Sequence, residues 1–252
     1  MIRVIMHGCG GKMGQVVTSL IAAEENMEIV AGIDVKAVPG CPYPVFPDLM
    51  SCDVPADVVI DFSYCGAVDA LLDACAAKKL PVVLCTTGLS PEQLTHVKET
   101  ATLIPVLKSA NMSLGINLLL KLLQPAAKVL ADAGFDIEIV EKHHNQKMDA
   151  PSGTALALAD SVNHALSDQY EYVYDRSQVK KKRDPKEIGI SAVRGGSIVG
   201  EHEVIFAGTD EVITFTHTAY SKAIFAKGAI AAAAFLPGKE PGLYDMSHVI
   251  QI

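Results

Sequence analysis

Two stretches of this 252-residue sequence hold side chains whose types and spacing can do chemistry. The first is Glu141-Lys142-His143-His144-Asn145-Gln146-Lys147-Met148-Asp149-Ala150-Pro151-Ser152-Gly153-Thr154. Its two histidines and Lys147 offer a general acid and two cationic donors. Pro151, Ser152 and Gly153 are helix-entry signals, so the Ser152-Gly153-Thr154 segment brings N–H groups and hydroxyls to a helix N-terminus, a natural carboxylate site. Together these groups suit an anionic small molecule that is protonated as it is reduced. Adjacent histidines are also common as plain loop or core residues, so spacing alone leaves both readings open. A metal site is not expected, because the stretch has no HxH or HxxxH spacing and no cysteine nearby.

The second stretch is Gly8-Cys9-Gly10-Gly11-Lys12-Met13-Gly14. Gly8, Gly11 and Gly14 have a GxxGxxG spacing, between the strand-like run Ile2 to His7 and the helical pattern Val16, Val17, Leu20, Ile21. Glycines there permit a tight turn, close approach of backbone to a pyrophosphate and close helix–strand packing. Asp34 follows at the end of the next strand pattern, where an acid binds the adenosine ribose hydroxyls. A carboxylate repels a 2′-phosphate, which favours NADH; Lys12 and Lys36 offset that repulsion, so NADPH is expected to be accepted as well.

Elements must position these groups. Strand-like runs at Ile2–His7, Glu28–Asp34, Val58–Phe62, Pro81–Cys85 and Ile104–Leu107 are nearly all apolar and alternate with helical patterns. One of these helices opens with a capping box at Ser90 and Gln93. This alternation predicts an α/β fold with a Rossmann-type, doubly wound parallel sheet. After Ser113 the texture changes. A helix from Leu114 to Ala131, a strand from Asp136 to Glu141 and a helix from Gly153 to Ala165 come first. Strands at Ile188–Val193, His202–Ala207 and Val212–Thr218 and a final helix over Ala223–Phe235 follow. These describe a second α+β domain on a mixed or antiparallel sheet.

Half of the residues are apolar and a fifth are charged, enough to bury a core and unlike a disordered chain. A net charge of −8 argues against a nucleic-acid binder that neutralises phosphates, and the run Lys180 to Arg183 reads as a solvated face. No apolar run approaches a membrane span without a charge or breaker, and no charged-then-apolar leader is visible, so no membrane partner and a cytoplasmic location are expected. Cys9, Cys41, Cys52, Cys65, Cys75 and Cys85 form no CxxC pair and are expected to be buried, reduced thiols.

The string EKHHNQKMDAPSGTA resembles the signature of the dihydrodipicolinate (4-hydroxy-tetrahydrodipicolinate) reductase family. GCGGKMG, VIDFS, TTG, SANMSLGIN, VRGGSIVGEH and the SKAIFAKGAI to GLYDM tail extend the resemblance over the whole length. The resemblance implies a dinucleotide-binding domain over residues 1–113 and 222–252, a substrate-binding and oligomerisation domain over 114–221, and closure of the two on the substrate. It implies NAD(P)H-dependent reduction of 4-hydroxy-tetrahydrodipicolinate with loss of water, in lysine and diaminopimelate biosynthesis, by a homotetramer. It assigns His143 as proton donor and Lys147 as the catalytic cation that meets the substrate, with His144, Gly153 and Thr154 binding substrate; Ser152, in the same helix-entry turn, is expected to bind the carboxylates with them. Gly8, Cys9, Gly10, Gly11, Lys12, Met13, Asp34, Cys85, Thr86, Thr87, Ala110, Asn111, Met112, Ser113 and Lys222 fall at cofactor positions. Three of these depart from the family's common residues: Cys85 stands for glycine, Met112 for phenylalanine and Lys222 for arginine. The lysine loses a bidentate phosphate contact.

Overall fold

Strands whose successive residues are all apolar must be covered on both faces, and the computed structural model, which describes residues 1–36, 38–177 and 180–250, is built that way at its start. In chain order the strands are β1 Ile2–His7, β2 Met27–Ile33, β3 Val45–Phe46, β4 Val58–Asp61, β5 Val82–Leu84 and β6 Pro105–Lys108. They continue with β7 Asp136–His143, β8 Glu171–Val173, β9 Glu187–Arg194, β10 Gly200–Ala207, β11 Val212–Ala219 and β12 Gly242–Tyr244. The helices are α1 Lys12–Ile21, α2 Val68–Lys78, α3 Pro91–Thr100, α4 Leu114–Asp132, α5 Gly153–Ala165, α6 Ala223–Phe235 and α7 Met246–Val249. The chain divides into two compact units, Met1–Leu114 with Ala223–Ile252, and Gly115–Lys222.

The first unit holds a seven-stranded sheet in the order β12-β6-β5-β4-β1-β2-β3, every pair parallel. Alternate residues serve opposite faces. Val4, Met6, Val58 and Ile60 pack with Val17 and Ile21 of α1 and with Ala226, Ala229 and Ala233 of α6. Ile5 and Val59 pack with Leu71 and Leu72 of α2 and Val97 of α3 on the other face. Full burial of each large aliphatic chain contributes about 1.5–3 kcal/mol, so this two-sided core holds the strand ends that carry the glycine-rich turn. Ser90 caps α3 in a reciprocal capping box with Gln93, and Pro91 opens the helix.

The second unit holds a mixed five-stranded sheet in the order β11-β10-β7-β9-β8. β7 lies antiparallel to β10 and parallel to β9. Its core is one-sided: Ile137, Ile139, Val204 and Phe206 face Leu119 and Leu123 of α4 and Leu158 and Val162 of α5. By length and composition α4 is apolar enough to cross a membrane. Lys121, Pro125 and Lys128 interrupt it, however, and its Leu119, Leu123 and Ala127 belong to this core.

Three strands, β3, β8 and β12, carry no sequence signal, since each has only two or three residues and periodicity needs more. The thiols also differ from expectation. All six are free, and Cys9, Cys52 and Cys75 are buried, but Cys41 and Cys85 are half-buried and Cys65 is exposed in the short 3-10 turn Cys65–Ala67.

Candidate active site

In the first unit, β1 lies between β4 and β2, the point where the winding of a doubly wound sheet reverses and where such folds leave a crevice. The glycine-rich turn follows β1 there. Gly8 has φ +79, and a Cβ on it would stand 2.8 Å from Phe62 O, while one on Gly14 would collide with Gly8 O. These two glycines are fixed by the turn itself. A Cβ on Gly11 would meet only Gly8 O, at 3.3 Å, so the outer side of the turn is open. Among the described residues no side chain caps the N-terminus of α1, which leaves its first N–H groups for an anion. Asp34 follows β2 directly. Its carboxylate accepts from Gly10 N–H at 3.0 Å and Lys36 N–H at 3.1 Å, so the acid is fixed against the turn. The open cradle, the uncapped helix and the anchored acid fit a nicotinamide dinucleotide. Lys12 and Lys36 are both exposed beside them.

The other expected cofactor residues divide by burial. Thr87 and Ala110 are exposed, Cys85 and Asn111 half-buried, Lys222 exposed just before α6. Cys9, Thr86, Met112 and Ser113 are buried. Thr86 is committed: its hydroxyl donates to Asp61 Oδ2 at 2.6 Å. Asp61 is fully buried at the end of β4 and also accepts from His7 Nδ1 at 2.7 Å and Ser63 N–H at 3.1 Å. Burial would raise its pKa, but His7, Ser63 and Thr86 outweigh that and hold it below the usual carboxylate value. Sequence reading missed Asp61 and His7; the signal was a charged residue ending an otherwise apolar central strand.

The second unit gathers the other stretch. Alternation along β7 buries Ile137, Ile139, Glu141 and His143 on one face, so the apolar core gives way to an acid and a histidine at the strand's end. Glu141 has no exposed surface and accepts four hydrogen bonds. Arg194, at the end of β9, donates Nη1 to Oε2 and Nη2 to Oε1, each at 2.7 Å. His143 Nδ1 lies 2.6 Å from Oε2, and Ser152 N–H donates to Oε1 at 2.9 Å. Burial pushes the Glu141 carboxyl up, but Arg194, His143 and Ser152 together hold it below its ordinary value. An ionised carboxylate only accepts, so Nδ1 of His143 carries a hydrogen and Nε2 is the atom where a proton can come and go.

His202 on β10 pairs across the sheet with Glu141 and meets the His143 ring edge-on, centroids 5.1 Å apart. Burial, then the neighbouring His143, lowers its pKa to about 4, so it stays neutral near pH 7. Its Nε2 lies 3.0 Å from Ser152 Oγ. Ser152, expected among the substrate donors, is buried, and its polar atoms are taken: Oγ accepts from Ala155 N–H as the cap of α5, and N–H serves Glu141. Gly153 is exposed and Thr154 half-buried at that helix start. Lys147 Nζ pairs with Asp149 Oδ1, and His144 is half-buried just past β7. The arrangement can hold a proton at one Nε2 and receive an anion at a helix N-terminus a few residues on. No group of His, Cys, Asp and Glu among the described residues could hold a metal ion.

A parallel sheet with an open glycine-rich turn, carried in one chain with a second unit that buries a histidine against a carboxylate, is the build of the dinucleotide-dependent oxidoreductases. At the level of fold alone the chain is similar to a probable dehydrogenase from Thermotoga maritima, with TM-score 0.60 and 11% identity over 98% of this chain and 92% of that one. Residues 2–112 match the model of the dihydrodipicolinate reductase N-terminus, and residues 115–250 that of its C-terminus. The 4-hydroxy-tetrahydrodipicolinate reductase of Caldanaerobacter subterraneus subsp. tengcongensis is 55% identical over 251 residues, covering 100% of this chain and 99% of that protein. A dipicolinate-bound dihydrodipicolinate reductase from Paenisporosarcina sp. TG-14 superposes with TM-score 0.83 at 27% identity, over 99% of this chain and 100% of that one. The chain belongs to the dihydrodipicolinate reductase family.

Proposed function

We propose that the chain reduces 4-hydroxy-tetrahydrodipicolinate to tetrahydrodipicolinate, consuming NAD(P)H and a proton and releasing water, in lysine and diaminopimelate biosynthesis. The observation that carries this reading is His143: its Nδ1 is committed to Glu141, and its strand leads into the Lys147–Thr154 segment that opens α5. His143 holds the proton at Nε2 for the substrate. Lys147 and the N–H groups of Gly153 and Thr154 bind the substrate carboxylates, with His144 beside them, while Ser152 holds the turn in place. Gly8 to Met13 and Asp34 hold the dinucleotide, which supplies the hydride; Thr87, Ala110 and Lys222 are the exposed members of the remaining cofactor set. NADH is the preferred donor and NADPH is also accepted.

The working assembly in this reading is a homotetramer. The face of the second sheet opposite α4 and α5 carries Val140, Ile205 and the Lys142 pairs with Glu201 and Glu203, a mixed surface suited to self-association. Six free thiols accord with a reducing cytoplasm. The direct test is the fall in nicotinamide absorbance with freshly generated substrate; no substrate-dependent fall with either cofactor would overturn the assignment. Sedimentation of the purified chain tests the tetramer.

A further inference from the structure

The one carboxylate at the centre of the second unit's polar cluster has no assigned part in the reaction. We infer that Glu141 is the positioning residue of this site: a single carboxylate that fixes the orientation and tautomer of His143 and ties it to the turn that opens α5. The inference rests on the proposed role of His143 as proton donor.

Glu141 and His143 are two residues apart on β7 and share its covered face. The parallel register sets Arg194 of β9 beside His143, and from there its two guanidinium N–H groups reach both Glu141 oxygens. Such a fork fixes the carboxylate in plane and in charge. Oε2 then has one direction left for His143 Nδ1–H, and Oε1 one for Ser152 N–H. The proton donor and the α5 entry therefore cannot shift independently. Arg194 Nη2 adds a third tie, to Asp149 O at 2.6 Å.

The surrounding charges are consistent with this arrangement. Around the His143–Glu141 pair stand Arg194 from β9 and His202 from β10; on the loop after β7, Asp149 O accepts from Arg194 and the Asp149 carboxylate pairs with Lys147, while Lys142 points to the other face with Glu201 and Glu203. His202 is 4% exposed and its Nδ1 has no hydrogen-bond partner among the described residues. A ring so placed takes no second proton beside His143, so the nearest histidine does not compete for the carboxylate.

The test is Glu141→Gln in the full-length protein, which keeps the shape and removes the charge. Turnover should fall roughly a hundredfold, the scale of losing a general acid, while KM and cofactor dissociation constants change less than about threefold. Nitrogen-15 imidazole spectra of the substrate-free protein give an independent reading. The wild type should show the His143 hydrogen on Nδ1, and Glu141→Gln a mixture of tautomers. Glu141→Asp should recover part of the rate, and Arg194→Lys, which keeps the charge but loses the fork, should lose roughly tenfold. If Glu141→Gln does not fold, Arg194→Lys carries the same two readings. Unaltered tautomer and turnover in these variants would overturn the inference. A wild type that reduces no substrate but shows the Glu141-dependent tautomer would instead sink the proposed reaction and leave the positioning role standing.

Discussion

Lys147 Nζ stands 2.8 Å from Asp149 Oδ1, so the cation assigned to the substrate already has an anionic partner two residues along its own loop. The lysine side chain is 22% exposed and the aspartate 57%, which leaves the pair open to exchange with an incoming carboxylate. Charge-assisted hydrogen bonds contribute about 1.5–3 kcal/mol each, so Lys147→Ala should raise the inhibition constant of pyridine-2,6-dicarboxylate roughly ten- to a hundredfold. The loss should shrink as salt is added, because partly exposed charges are screened. Competition assays at two ionic strengths read both effects, and an unchanged constant removes Lys147 from the substrate site.

Asp34 accepts the Gly10 N–H, so truncating it would disturb the glycine-rich turn as well as cofactor choice. Asp34→Asn keeps an acceptor and removes only the charge. Preference should shift toward NADPH as the like-charge repulsion disappears, and Lys12→Ala should weaken NADPH more than NADH. Dissociation constants for both cofactors decide it; equal losses in both variants mean that neither residue reads the 2′ position.

A Cβ on Gly200 would stand 3.1 Å from His143 Nε2, in the space a hydrogen-bonded substrate atom must use. The backbone there is ordinary strand, so Gly200→Ala should fold with a thermal midpoint within a few degrees of the parent. Its kcat/KM should fall at least roughly tenfold, since small displacements at a reacting centre are costly. In a His143→Ala background the same change should cost almost nothing further. Additive losses would show that Gly200 acts elsewhere.

The His202 pKa of about 4 lies below the ordinary 6.5, so between those values the unfolded chain binds the extra proton and the folded chain does not. Stability should therefore rise with pH across that window and be lost as acid is added, by about 3 kcal/mol at most. His202→Gln cannot take up that proton. Urea unfolding at about pH 4.5 and about pH 7 should show a smaller acid loss in the variant than in the wild type. Parallel losses would mean that His202 gains its proton as readily folded as unfolded.

Features carried by local chemistry were legible in the sequence. The Ser90–Gln93 capping box, the bounds of α5 and α6 and the glycine-rich turn all depend on neighbours within a few residues. Glu141 was half-visible: it heads the histidine string, and the two-residue spacing from His143 puts both on one face of a strand. Arg194 and His202 were not visible as partners of that string, because only the register of β9 and β10 against β7 brings residues so distant in sequence to one carboxylate. The structural part of Ser152 was hidden for a related reason. A serine at a helix entry looks like a ligand donor until the cap and Glu141 are seen to use its hydroxyl and N–H.

The discontinuous first unit has a consequence for the order of synthesis. Ala226, Ala229 and Ala233 of α6 complete one face of its sheet, and β12 supplies the strand beside β6, yet both leave the ribosome after the whole of the second unit. Residues 1–114 must therefore wait with one apolar face only partly covered, by α1, while the insert is made. A nascent chain stalled before Ala223 would expose that face, making this interval the stage at which holdase chaperones and aggregation compete for the protein.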